Sequence, residues 1–232
     1  MKILLINPNS TESMTAKMAA SVAARVGPGV EIIARTARGG PASIEGHYDE
    51  VMSLPGLIAG VQQAEAEGID GVVVACFDDT GLGACREVAS GPVVGIGEAA
   101  MKAATFLATS FSVVTTLPRS VPIIEENVRK YGLSAFCRRV RASDLPVLAL
   151  EEDGSNARQV IRAAILRAVE EDRCEAVVLG CAGMADLTQW LTDECGVPVI
   201  DGVVTGVKMV EALVGAGLAT SKINAYAPPR TK

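Results

Sequence analysis

The chain has 232 residues, enough for one large domain or two small lobes that bury roughly 70–75% of the unfolded surface. It is 49% apolar but only 3% aromatic, and mixed charges leave it at net −6, a composition that excludes a disordered chain. No basic run and no apolar stretch of the ~18–20 residues needed to cross a bilayer occurs, so neither nucleic acid nor membrane is an expected partner.

In chain order, Ile3-Leu4-Leu5-Ile6 opens a first strand over 3–7. It is too short for a secretory leader, so a cytoplasmic protein is expected. Asn9-Ser10-Thr11-Glu12 has the form of a capping box with Asn9 as cap. Met14, Met18 and Val22 then recur at helical spacing, and Gly27-Pro28-Gly29 closes that helix. Further strands are expected over 30–36, 71–75, 92–95, 111–116, 136–141, 175–180 and 197–200, with helices over 156–172 and 203–215 among those between them.

The two halves repeat one pattern. Pro8 and Pro118 follow the first strand of each half at an offset of 110. Cys76 and Cys181 end the third strands at an offset of 105, and Pro92 and Pro198 open the fourth at 106. The expected fold is α/β: two lobes, each with a parallel four-stranded sheet, related by pseudo-two-fold duplication. The first lobe is assigned residues 1–104 together with 205–232, and the second 105–204.

Six cysteines stand beside one histidine, His47, with no C-x-x-C pair, so no metal site is expected. Ligands of parallel sheets bind beyond the carboxyl ends of the strands, where Cys76 and Cys181 both fall. Across a cleft, two thiols could flank one ligand. Racemisation without a cofactor needs that: one group removes a proton from a carbon and the other returns one on the opposite face. A helix N-terminus after the strand would raise the thiolate fraction, and mutual repulsion would keep one partner protonated. The turn N–H groups after each cysteine are candidate donors to an enolate.

Ile6-Asn7-Pro8-Asn9-Ser10, Gly40 through Gly46, Ala75 through Gly81 and Leu179 through Met184 together resemble hydantoin racemases of the aspartate/glutamate racemase superfamily. Val93 through Ala100 and Pro198 through Asp201 resemble the same family's later motifs. The resemblance implies two Rossmann-like lobes around a cleft and a small-molecule substrate, a 5-monosubstituted hydantoin inverted at C5. It implies that Cys76 and Cys181 are the acid/base pair and that no cofactor is used. It also implies self-association into a homo-oligomer. Allantoin racemases are closely similar. Phe77-Asp78-Asp79 and Ala182-Gly183-Met184, where a free amino acid would meet other residues, point to a ring substrate. Phe77, Asp78, Asp79, Gly183 and Met184 are therefore candidate substrate-binding residues. The resemblance makes residues 40–46 a wall or lid, with Ile44 facing the substrate's side chain.

Each feature has a plainer reading. Asn9 suits either a helix cap or a substrate contact. Thr115 and Thr116 are ordinary strand residues, or hydroxyls for the ring. Asp78 and Asp79 could close a turn; their N–H groups are the expected functional parts, with both side chains turned away or bonded locally. Cys85, Cys137, Cys174 and Cys195 lack partners across the repeat and read as packing or surface thiols. His47 reads as a surface or capping residue, and Gly95-x-Gly97 lacks the third glycine of a dinucleotide loop. The rival of a different class is a non-catalytic cleft protein that binds a small molecule and needs neither thiol.

Overall fold

The computed structural model describes residues 1–152 and 154–230. The first half runs β1 (Lys2–Asn7), α1 (Glu12–Ala23), β2 (Glu31–Thr36), α2 (His47–Ala66), β3 (Gly71–Val74), α3 (Leu82–Val88), β4 (Val93–Gly95) and α4 (Ile96–Leu107). The second repeats it with β5 (Phe111–Thr115), α5 (Val121–Lys130), β6 (Cys137–Ala142), α6 (Ala157–Asp172), β7 (Ala176–Leu179), α7 (Thr188–Cys195), β8 (Val199–Ile200) and α8 (Gly202–Gly215). Short 3₁₀ turns interrupt the second half at Val147–Glu151 and Ala182–Leu187. The strands form two parallel sheets of four, ordered β2-β1-β3-β4 and β6-β5-β7-β8.

Both faces of each sheet are covered, so the central strands read as unbroken apolar runs. Period-2 alternation divides them. Ile3, Leu5 and Val73 face a core that also holds Phe111, Val113 and Val178 from the second sheet. Leu4, Ile6, Val72 and Val74 pack outward against α2 and α3, and Val114, Val177 and Leu179 outward against α6 and α7.

The helices after the fourth strands are exchanged. α4 leaves the first sheet and packs on β5, β7 and β8 of the second. α8 leaves the second sheet and packs on β1, β3 and β4 of the first. The two helices cross where Gly202 approaches the Ile96 carbonyl: a Cβ there would lie 2.3 Å from that oxygen.

Register places the strand ends together. Ile6 pairs with Val74, Val74 with Gly95, and Val114 with Leu179. Ala75 N then donates to Ile6 O and Gly180 N to Val114 O, each at 2.8 Å, so the chain leaves β3 and β7 by the same path. Among the described residues no helix is long and apolar enough to cross a membrane.

α1 starts later than the capping box implies. Glu12 is its first residue and Thr11, not Asn9, its N-cap. Ser10 N donates to Pro41 O (2.9 Å) and the Thr11 hydroxyl to Ala42 O (2.7 Å). These bonds hold the bent entry segment, residues 8–11, against the loop after β2. The helix also ends at Ala23, before the Gly27-Pro28-Gly29 turn.

The α4–α8 crossing has no room for a side chain at position 202. Gly202→Ala is expected to cost about 1–3 kcal/mol, the range for overpacking against a fixed neighbour. Urea unfolding of the variant and the parent chain measures the difference; equal stabilities would show that the crossing is loosely packed.

Candidate active site

Cys76 lies two residues beyond β3 and Cys181 two beyond β7. Each opens a tight turn of the same form. Asp79 N donates to Cys76 O at 3.0 Å, and Met184 N to Cys181 O at 3.2 Å. In each turn the N–H two residues on, that of Asp78 or Gly183, is directed to the sulfur. Both cysteines line one recess at the carboxyl ends of the two sheets, with about 420 Å³ of atom-free space, part of it open to solvent.

Asn9, Ile44, Phe77, Asp78, Thr115 and Thr116 line the same recess, as their strand-end positions imply. Asp79, Gly183 and Met184 do not. The Asp79 carboxylate is bound to Gly97 N (2.9 Å), Glu98 N (2.7 Å) and the Tyr131 hydroxyl (2.6 Å), and its N–H is held by Cys76 O. Gly183 acts on the sulfur of Cys181 through its N–H, and Met184 is wholly buried in the outer core of the second sheet. These three belong to the turns and do not line the recess. His47 is the exposed first residue of α2, and Cys85 and Cys174 are buried.

The polar groups of the recess are aimed by their partners. Asn9 Oδ1 accepts from Asn7 Nδ2 (2.8 Å) and Thr11 N (3.0 Å). That leaves its Nδ2, against Met14 Sδ at 3.3 Å, as a donor with only a weak acceptor. The Thr115 hydroxyl donates to Gly180 O at 2.9 Å, so it meets a ligand as an acceptor only. The 3₁₀ turn Pro118–Ser120, which leads into α5, brings Ser120 into the lining.

The loops after β2 and β6 meet at the recess and line it, with Ile44 on the first and Val147 on the second. Glu45 Oε1 accepts from Val147 N at 3.2 Å. Lys17 donates to Leu150 O at 3.0 Å and pairs with Glu151 at 3.1 Å. Sequence reading misses Val147, although its place after the second strand of the second half matches that of Ile44 and the repeat could have revealed it. It also misses Thr80, a buried residue whose hydroxyl donates to Cys76 Sγ at 3.6 Å. Thr80 has no counterpart across the repeat, where Ala185 stands.

The electrostatics correct two expectations. Burial pushes both thiols up, Cys76 well above its ordinary value and Cys181 to about 12, and the Asp78 charge adds to both shifts. No α-helix starts at Cys76; α3 begins only at Leu82. A 3₁₀ turn does begin at Ala182, but loss of water around the sulfur outweighs the Gly183 N–H that it directs there. The Asp78 side chain faces the recess instead of turning away. Its carboxyl is raised to about 7, first by burial, then by the charges of Glu50 and Asp79. Asn127 engages only the Asp78 backbone, donating to its carbonyl at 2.8 Å. Among the described residues no group of three or more His, Cys, Asp or Glu side chains could hold a metal ion.

The sequence profile of the family described as Asp/Glu/Hydantoin racemase matches residues 3–210. A hydantoin racemase of Rhizobium meliloti is 56% identical over 100% of the chain and 96% of its own length. Among solved structures, an allantoin racemase from Klebsiella pneumoniae superimposes with a TM-score of 0.98 at 48% identity, covering 100% of this chain and 95% of that one. The allantoin racemase of Pseudomonas fluorescens gives 0.96 at 41% identity, covering 100% and 98%.

Asp78 supplies a pH signature. Its folded carboxyl titrates near 7 against an ordinary 3.8, so its ionisation opposes folding. That penalty is absent below about pH 4, grows between the two values and is constant above them. Asp78→Asn removes it. The melting temperature of the variant is expected to gain on the parent from pH 4 to pH 8, and alkylation of both Cys76 and Cys181 to quicken. A pH-independent gap would refute the burial of a titrating carboxyl there.

Proposed function

The chain belongs to the Asp/Glu/Hydantoin racemase family, and from that premise we propose that it racemises 5-monosubstituted hydantoins at C5, with Cys76 and Cys181 as acid and base and no cofactor. The observation that carries this reading is the pair of thiols on equivalent turns lining one recess.

One cysteine, as thiolate, takes the C5 proton. The electron pair of the broken C–H bond moves onto the adjacent ring carbonyl oxygen as an enolate. The second cysteine, as thiol, gives its proton to C5 from the opposite face and becomes the thiolate. The two sulfurs have exchanged states, and the same steps run backwards for the other enantiomer. The turn N–H groups of Asp78, Asp79, Gly183 and Met184 are engaged within the turns. Phe77 N–H and Ala182 N–H have no backbone acceptor among the described residues, and with Asn9 Nδ2 they are the donors proposed for the enolate oxygen and ring carbonyls. The acceptor lone pairs of Thr115 suit a ring N–H.

Burial leaves little thiolate at neutral pH. Below a thiol's own pKa its ionised fraction grows about tenfold per pH unit. The rate is therefore expected to rise with pH above 7 and to reach no plateau before the strongly alkaline range. A plateau near pH 7 would count against a thiol base in this environment.

The substituent at C5 meets Ile44, Val147 and Met14, all apolar. That favours hydantoins with alkyl or aralkyl substituents. Allantoin, whose substituent is a ureido group, is the second reading, supported by the similarity to solved allantoin racemases. In a polarimetric assay on chiral hydantoins, kcat/KM for an apolar substituent is expected to exceed that for allantoin by about tenfold or more. The reverse order would make allantoin the substrate.

Cys76→Ala and Cys181→Ala are each expected to abolish racemisation. Cys76→Ser and Cys181→Ser should each still exchange the C5 proton of one enantiomer with deuterated water, a different enantiomer for each. Full racemisation by either alanine variant, or equal exchange of both enantiomers by one serine variant, would sink the two-face mechanism. Chelators should change nothing.

A further inference from the structure

The two thiol turns share the hydrogen bond that closes each at its cysteine carbonyl but differ in backbone and anchorage. On the Cys76 turn, Asp79 has φ +54°, in the left-handed region. Its carboxylate caps the N-terminus of α4 through Gly97 N and Glu98 N and accepts the hydroxyl of Tyr131, the C-cap of α5. Asn127, on α5 itself, holds the next carbonyl back along the turn, that of Asp78. α4 packs on the second sheet and α5 belongs to the second half, so these bonds tie the Cys76 turn to the opposite lobe.

The sequence leaves room for this. Across the repeat Gly95 matches Asp201, and Asp201 caps its own helix, α8, through Val203 N (2.7 Å) and Val204 N (3.0 Å). At Gly95 there is no such side chain, and a Cβ would lie 2.1 Å from Asp79 Oδ1. The cap of α4 has thus moved to the thiol turn. On the Cys181 turn the place of Asp79 is taken by Met184, whose side chain is held only by apolar packing in the outer core.

We propose that Asp79 is a positioning residue for one proton-transfer face only: by bonding α4 and Tyr131 it holds the Cys76 turn, and with it the sulfur, opposite Cys181, while the Cys181 face does not depend on it. This rests on the two-thiol reading above.

The test separates the faces, using the full-length chain. In the Cys181→Ser background, where Cys76 is the remaining thiol, adding Asp79→Asn is expected to slow C5 exchange in deuterated water by about 10–100-fold, the scale on which a misplacement of ~1 Å acts. In the Cys76→Ser background the same change should alter exchange by less than about threefold. Removing the Asp79 charge would by itself favour thiolate at Cys76 and quicken exchange, so a fall reports position and not electrostatics. Equal losses in both backgrounds, or none in the first, overturn the proposal. Tyr131→Phe removes one of the bonds and leaves the turn's own residues in place, so it serves if Asp79→Asn does not fold. A smaller loss, again only in the Cys181→Ser background, is expected.

A second measurement does not need turnover. Iodoacetamide labelling of the ligand-free chain, mapped by peptide mass, should be several-fold faster at Cys76 in Tyr131→Phe, which loosens the turn and keeps the Asp79 carboxyl, and unchanged at Cys181. If the parent chain racemises no hydantoin, the two-thiol reading falls and the labelling ratio alone judges whether Asp79 holds the turn; an unchanged ratio overturns that too.

Discussion

The exchange of α4 and α8 between the sheets is the constraint on which the rest depends. Each lobe lacks one covering helix of its own and takes it from the other. Neither inner face is complete alone, so the lobes share one apolar core running from Ile3 and Leu5 to Phe111 and Val178. Separating them would expose that core to water, a large loss even at ~25 cal/mol per Å² of apolar surface. The crossing at Gly202 and Ile96 sets how closely they meet. With both sheets pinned in this way, their carboxyl ends open on one recess, and groups 105 residues apart in the chain come to line it together.

That arrangement places two thiols and a carboxyl group in a site short of water. Burial raises all three, and the Asp78 charge opposes ionisation of either sulfur. A site of this kind keeps its thiols protonated and little reactive when empty. It can still favour charge that develops on a ligand, because donors such as Asn9 Nδ2 are fixed beforehand by their own hydrogen bonds. The loops bearing Ile44 and Val147 complete the enclosure. The bond from Val147 N to Glu45 joins these loops, and Lys17 on α1 holds the second through Leu150 O; all come from residues distant in sequence.

Much of the frame could be read from residues alone. All eight strands lie within one or two residues of the expected limits, because apolar runs bounded by Gly, Pro and polar residues carry that information locally. The repeat of Pro8 with Pro118 and Cys76 with Cys181 singled out one pair of thiols among six, and that pair shares a recess. Asn9 shows where local reading stopped. Its spacing to Glu12 has the form of a capping box, yet the loop at Pro41 and Ala42 binds Ser10 and Thr11 in a bent segment, and the helix starts only at Glu12. Asp79 shows the same limit: its acidic side chain caps a helix eighteen residues on, at a position where the absent side chain of Gly95 leaves space.

By itself, then, the sequence determined the alternation of strands and helices, the duplication and the strand-end location of the candidate residues. These follow from side-chain periodicity and from positions along the chain, which need no knowledge of the partner lobe. Only the tertiary structure decided which sheet each terminal helix covers, which way Asp78 and Asp79 point, and that the thiols are raised rather than lowered. Each of those depends on desolvation or on bonds between segments far apart in sequence, and such terms have no local trace in the chain.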